Sequence, residues 1–262
     1  MNITVFLAGI ADPKWPLPPL AVTADDRSVR AADSRRILSP FDEAALEIAL
    51  KIRDARPETR IAVVVTGGTD MDNVLRSVAA FRPDHLVRLD AEGLYACDAQ
   101  SLSRQLATAA ASLPAQAELV LMGREFGDLD NGTLAPCLAE RMECRFAALI
   151  QDARWSDTHL ALMRERGGAE EWLHLDAPMV ASVTNDRRNR LRHPLMKNVM
   201  AAKRATFPVI PASAGDDDGL RVTAAAPAQA APRRSACRML AGSLEERVDA
   251  LAGFLAEWKT PQ

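Results

Sequence analysis

Short apolar runs alternate with longer amphipathic stretches along the first half of the chain. Residues 3–10 are apolar and β-branched at their start, which predicts a buried first strand. Ser39, Pro40, Phe41, Asp42 and Glu43 then open a helix that runs to about Ala55. Ser39 is a good N-cap, Pro40 suits the first helical position, and the acids lie where the helix dipole favours them. Ala44, Ile48 and Ile52 form its inward stripe. The same alternation predicts a strand over 60–66, a helix over 71–81, a strand over 85–89 and an Ala-rich helix over 98–112. A fourth strand, 119–122, ends the apolar run that starts at Ala117. Strands that alternate with helices of this length pair in parallel through crossovers. The expected fold is therefore α/β: a mostly parallel, Rossmann-like, adenine-nucleotide-binding sheet with helices on both faces.

After Ala147 the pattern shortens. Residues 151–155, 160–165, 171–175 and 178–184 read as short extra strands with turns between them. A basic loop follows, with Arg187, Arg188, Arg190, Arg192 and His193, and then a short helix over 194–204. Residues 209–234 are rich in Ala, Pro, Gly and Asp and read as a linker or arm. Leu244, Val248, Leu251, Leu255 and Trp258 make one stripe of a terminal helix over 243–258. These shifts divide the chain into a nucleotide-binding α/β domain, 1–205, and a linker plus C-terminal helix, 206–262. The helix either folds back or clasps a partner chain.

Composition narrows the function classes. At 48% apolar, 26% charged and a net charge of -3, the 262 residues describe a globular chain with no electrostatic case for nucleic acid. No apolar run approaches the roughly 20 residues of a membrane span. The N-terminus lacks a basic region and reads as a strand rather than a leader. Cys97, Cys137, Cys144 and Cys237 form no CxxC pair, and no His completes a metal set beside them, so free thiols in a bacterial cytoplasm are expected. No nucleophile–base pair is in view, and no catalytic or metal residue is assigned.

The chemistry concentrates in 123–140. The apolar strand runs into a polar, Gly-rich turn, and a helix starts near Thr133 with Leu134, Leu138 and Met142 on its buried side. Helix N-termini offer unpaired N–H groups and a favourable field, so this turn suits a phosphate. An ordinary strand–loop–helix has the same pattern, and both readings stand at this level. The 123–140 stretch joins a crevice at the strand C-termini with Ser39 and Thr66.

Three stretches together resemble the β (small) subunit of electron-transfer flavoproteins. Residues 39–47, SPFDEAALE, resemble an NPFDE-type helix opening. In 123–140, Gly123, Arg124, Asp128, Asp130, Pro136, Leu138, Ala139 and Glu140 match the family pattern. Residues 178–204 resemble its Pro-led strand, Arg-containing loop and N-[IV]-M-x-A-K-[KR] helix. The resemblance implies a heterodimer with an α subunit that holds most of an FAD, serving flavin-dependent dehydrogenases and passing their electrons towards a respiratory chain. It implies an AMP against Phe6, against Ser39, Pro40, Phe41 and Asp42, and against Thr66. The same AMP would meet Gly123, Arg124, Phe126 and Asp128, then Asp130, Asn131, Gly132, Thr133 and Leu134, with its phosphate on the backbone of the last three. Phe41 and Pro13 would face the flavin. Arg190, Arg192, Pro194, Leu195, Met196 and Lys197 would form the partner-recognition loop, with Met196 as its apolar anchor inside a rim of Arg188, Arg190, Arg192 and Lys197. The sequence departs from the pattern at Ser39, Thr133 and Ala135, and Ala8-Gly9 stand where Lys-Arg is usual.

An alternative reading is an adenine-nucleotide-dependent enzyme of ATP-pyrophosphatase type. Thr66, Gly67, Gly68, Thr69 and Asp70 resemble that phosphate loop, but Met71 stands where Ser is usual and the loop does not follow the first strand.

Overall fold

The computed structural model describes residues 1–15, 20–22, 29–31, 35–91, 98–127, 130–156, 158–212, 223–224, 226 and 239–258. They fall into two units, Met1–Ala225 and Ala226–Gln262.

In the first unit β1 (Asn2–Leu7) leads to β2 (Ile10–Ala11). The pair β3 (Leu20–Val22) and β4 (Val29–Ala31) is antiparallel, and β5 (Arg36–Ile37) returns to pair with β2. Helix α1 (Pro40–Ala55) leads to β6 (Arg60–Thr66), α2 (Asp72–Ala79) and β7 (His85–Leu89). Then come α3 (Ala99–Ala111), β8 (Leu119–Gly123), α4 (Leu134–Arg141) and β9 (Arg145–Ile150). A meander of β10 (Asp152–Trp155), β11 (Leu160–Arg166) and β12 (Ala169–His174) follows. The unit continues with β13 (Met179–Val183), α5 (Met196–Ala202) and β14 (Val209–Ile210).

Seven strands form one sheet in the order β14-β7-β6-β1-β8-β13-β9, with every pairing parallel. Pleating sends alternate residues to opposite faces. Ile3, Val5 and Leu7 join Ile61, Val63 and Val65 and the buried stripe of α1 on one face. Phe6 and Ala8 join Val64, Val120 and Met122 on the other, under Leu102 and Leu106 of α3 and Leu138 of α4. Both faces are covered, so the inner strands are apolar throughout rather than alternating. Each large side chain buried here contributes on the order of 1.5–3 kcal/mol.

The α/β expectation holds, with three corrections. Residues 145–150 form the edge strand β9, although their apolar signal is interrupted and half exposed. Residues 179–183 pair with β8 in the main sheet and not with the meander. Val209 and Ile210 pair with Arg88 and Leu89, so the expected linker does not begin at 206. The meander packs on α1: the Trp155 indole donates to the Ile52 carbonyl at 3.4 Å, and Arg56 lies 4.9 Å over its ring.

In the second unit, α6 (Leu244–Trp258) is a helix whose described residues are all exposed, including Leu244, Phe254 and Trp258. Among the described residues no helix is long and apolar enough to cross a membrane.

Candidate functional site

The chain runs outward from β1 to β6 and β7 on one side, then returns to β8 on the other. The order reverses between β1 and β8, and a crevice beyond the strand C-termini is expected at that point.

Its floor is tied to the start of α1. Ser39 Oγ accepts from the Asp42 N–H at 3.0 Å, and the Asp42 carboxylate accepts back from the Ser39 N–H at 3.0 Å. Ser39 as the N-cap was expected from the sequence, and the return bond to Asp42 makes the cap reciprocal. What was not legible is that the same carboxylate accepts from the N–H groups of Ala8 and Gly9, at 3.3 and 3.0 Å, and so joins the end of β1 to α1. Asp42 is wholly buried. Burial pushes its carboxyl above the ordinary range, against the pull of these donors. Ser39 and Asp42 therefore position the crevice with side chains committed to the protein. Phe6 is likewise wholly buried, in the core under α3 and α4.

Beyond β8, Gly123 passes so close to α1 that a Cβ would lie 2.8 Å from the Phe41 Cβ and 2.6 Å from the Glu125 carbonyl. The Arg124 guanidinium covers the Phe41 ring at 5.3 Å and pairs with Asp130 at 2.8 Å and Glu125 at 3.1 Å. Phe41 is thus largely buried in this chain, beside the exposed Pro40, while Pro13 is exposed in a turn next to Trp15.

At the start of α4, Gly132 takes φ +65°, and Asn131 Oδ1 accepts from both the N–H and the hydroxyl of Thr133, at 3.1 and 2.9 Å. The Thr133 N–H is therefore committed, which corrects the expectation that it faces a phosphate. The N–H groups of Leu134 and Ala135 have no partner among the described residues, and Pro136 has no N–H. Asp128 lies outside the described residues.

A cavity of about 230 Å³ opens between the loops after β1, β6 and β8, walled by Ala8, Gly9, Met71, Leu102, Phe126 and Gly127. Thr66 stands at its edge, 6% exposed, with a buried hydroxyl that has no partner among the described residues. Gly67 is held at both ends: its N–H donates to the Leu89 carbonyl at 3.0 Å, and its carbonyl accepts from Arg88 at 3.0 Å. Its φ of +145° and the Met71 side chain, 2.6 Å from where a Cβ would stand, leave room only for glycine. Arg36 and Asp70, also on the cavity wall, pair at 3.0 Å. The expected contacts Thr66 and Phe126 are brought together here. Arg36 was missed, and Asp70 was singled out only as the end of the loop that resembles an ATP-pyrophosphatase phosphate loop; the Arg/Asp-rich connection before α1 was the only sequence signal for Arg36.

The basic loop lies after β13, at the C-terminal edge of the sheet. Asn189, 1% exposed, accepts from Lys51 Nζ at 2.9 Å and donates to the Gln151 carbonyl. Arg192 grips Glu47 through its guanidinium and its backbone N–H, with contacts from 2.8 to 3.1 Å, and pairs with Asp54. Arg188 pairs with Asp186 at 3.0 Å, and that guanidinium pulls the Asp186 carboxyl below the usual carboxylate range. The rim expected around Met196 is corrected accordingly: Arg188 and Arg192 are neutralised by the protein's own carboxylates. Arg190 stands near Glu43, whose carboxyl is raised by burial against the pull of that arginine. Leu195 and Met196 are 62% and 73% exposed, and Pro194 and Lys197 lie in the same segment. Among the described residues no cluster of His, Cys, Asp and Glu could hold a metal.

A family model described as electron transfer flavoprotein domain matches residues 28–215. The electron transfer flavoprotein subunit beta of Bradyrhizobium diazoefficiens is 25% identical over 183 residues, covering 70% of this chain and 72% of that protein. The subunit of the same name from Megasphaera elsdenii is 25% identical over 191 residues, 71% and 70% of the two chains. That of Mycobacterium bovis is 26% identical over 213 residues, 80% and 78%.

Proposed function

This chain belongs to the electron transfer flavoprotein family, with β subunits among its relatives, and from that premise we propose that it is the small subunit of a heterodimeric electron carrier in the bacterial cytoplasm. In this reading it has no turnover chemistry of its own. It pairs with an α subunit, accepts electrons from flavin-dependent dehydrogenases and passes them towards a respiratory chain. An FAD held mainly by the α subunit supplies the redox chemistry. This chain walls that site from the side of Phe41 and Pro13 and binds an AMP at the switch point of its sheet.

The observations that support the nucleotide reading are unmet polar groups at the start of α4 and at the end of β6, both beyond the C-terminal ends of sheet strands. The Leu134 and Ala135 N–H groups suit a phosphate at a helix N-terminus. The buried Thr66 hydroxyl lacks a partner among the described residues, and such groups are rare unless a ligand or water completes them. Co-expression with the α subunit tests the whole proposal. The heterodimer should purify yellow, and mass spectrometry of the denatured supernatant should find flavin and AMP. A colourless heterodimer would overturn the carrier reading. Flavin without AMP, and without a second flavin equivalent, would overturn the nucleotide reading alone.

The 190–197 segment is proposed as the dehydrogenase-docking loop, because it presents Leu195 and Met196 on a base fixed by Asn189 and Arg192. Helix α6 is proposed to pack on the α subunit, because an exposed apolar stripe of this length needs a cover. Deletion beyond residue 235 should weaken heterodimer assembly in gel filtration; unchanged assembly would remove the helix from that role.

A further inference from the structure

Helix α1 carries Glu47, Lys51 and Asp54 on one face, since residues three and four apart on a helix are neighbours. Arg192 takes the two carboxylates. Lys51, between them, reaches the same loop earlier in its course. Its ammonium donates to the Arg188 carbonyl at 2.6 Å and to Asn189 Oδ1 at 2.9 Å, and it stands 4.0 Å from the Asp152 carboxylate. The Asn189 amide in turn donates to the Gln151 carbonyl, and the Asn189 backbone N–H donates to the Asp186 carbonyl at 2.9 Å. One cation thus joins three pieces of the chain: α1, the loop after β13 and the turn between β9 and β10. Asp152 does not depend on it, because Arg154 holds the same carboxylate at 3.1 Å. The backbone of the loop does: without the ammonium, the Arg188 carbonyl and the Asn189 amide oxygen lose their tie to α1. His193 and Pro194 follow this clamped stretch, and then come the exposed Leu195 and Met196.

Resting on the docking-loop reading above, we infer that Lys51 is a positioning residue for the dehydrogenase: it holds the loop in the shape that presents Leu195 and Met196. A small exposed anchor binds more tightly when its bound shape is already held in the free protein, because less freedom is lost at docking. Lys51 acts through the two anchor side chains and not through a contact of its own. Its loss therefore weakens docking and spares the electron-transfer step that follows.

The test is a double-mutant cycle on the purified heterodimer, reduced by a flavin-dependent dehydrogenase of the same organism chosen because it reduces the wild type. Lys51→Met keeps the stem and removes the ammonium. The side chain is 31% exposed and Asp152 keeps Arg154, so the variant leaves no buried charge unpaired. Its kcat/KM should fall roughly tenfold, the size of one hydrogen bond to a charged group, through KM alone and with flavin content unchanged. In a chain that already carries Leu195→Ala and Met196→Ala, the same substitution should cost about twofold or less, because the anchor it positions is gone. A general loosening of the fold would instead cost the same in both backgrounds, and that result would overturn the inference. So would a Lys51→Met heterodimer that reacts like wild type or loses its flavin; in each case the docking reading survives. If the Leu195→Ala, Met196→Ala chain itself reacted like wild type, the docking reading would fall and the inference with it. Hydrogen exchange needs no dehydrogenase. Amides in 188–196 should exchange several-fold faster in Lys51→Met while those of β1 and β6 stay as they are, and an unchanged loop would overturn the inference.

Discussion

Replacing Asp42 by alanine separates a helix cap from a joint between elements. The wild-type carboxylate takes three backbone N–H groups, from Ala8, Gly9 and Ser39, at a point with no access to water. Alanine orphans all three. Each buried donor left unmet costs about 1–3 kcal/mol, so the low end of the sum is about 3 kcal/mol. Removing a buried carboxylate returns part of this, since its raised pKa shows that burial disfavours the charged form. A net loss of about 2–4 kcal/mol is expected, or roughly 4–16 °C in Tm for a chain of this size. Ser39→Ala removes only the cap and should lose about 1 kcal/mol. Urea unfolding followed by tryptophan fluorescence compares the two. If Asp42→Ala lost no more than Ser39→Ala, the carboxylate would be a cap and not the joint between β1 and α1. The pH dependence gives a second check. The native chain holds this proton to higher pH than the unfolded chain, whose carboxyl titrates near the ordinary 3.8. This group's contribution to stability therefore falls as pH rises through the window above about 3.8, a slope that Asp42→Asn should lack.

Gly123→Ala introduces a Cβ against two rigid neighbours and should cost about 1–3 kcal/mol by overpacking, read as a lowered Tm; a neutral outcome would mean that Phe41 can step aside. Arg192→Ala leaves the buried Glu47 without its guanidinium and should cost about 2–3 kcal/mol, less than a fully buried pair because Arg192 is itself one-third exposed. Limited proteolysis should then cut faster within 187–195, and unchanged cleavage would show that Asn189 alone holds the loop. Met196→Ala should leave stability within about 0.5 kcal/mol, since the side chain is 73% exposed, while slowing electron transfer from a cognate dehydrogenase at subsaturating carrier. Equal rates at matched flavin loading would remove Met196 from docking.

Local rules carried much of this protein. The period of apolar residues determined β1, β6, β7 and β8 and the helices between them, because a strand buried on both faces must be apolar throughout. Cap chemistry located the start of α1, since Ser39 and Asp42 need only each other's backbone. Family resemblance directed attention to Thr66 and the turn before α4. Tertiary structure decided the rest, where the physics depends on partners distant in sequence. β9 and β14 are edge strands with one paired side, so their pattern was too weak to read. Arg188 and Arg192 looked like free charges until the fold set carboxylates against them. Thr133 looked like an open N–H until Asn131 turned onto it. Arg36 and Asp70 stand 34 residues apart and became neighbours only when β5 and the loop after β6 met at one cavity. Charge and hydrogen-bond partnership are properties of position in space, and for these residues no local pattern encoded them.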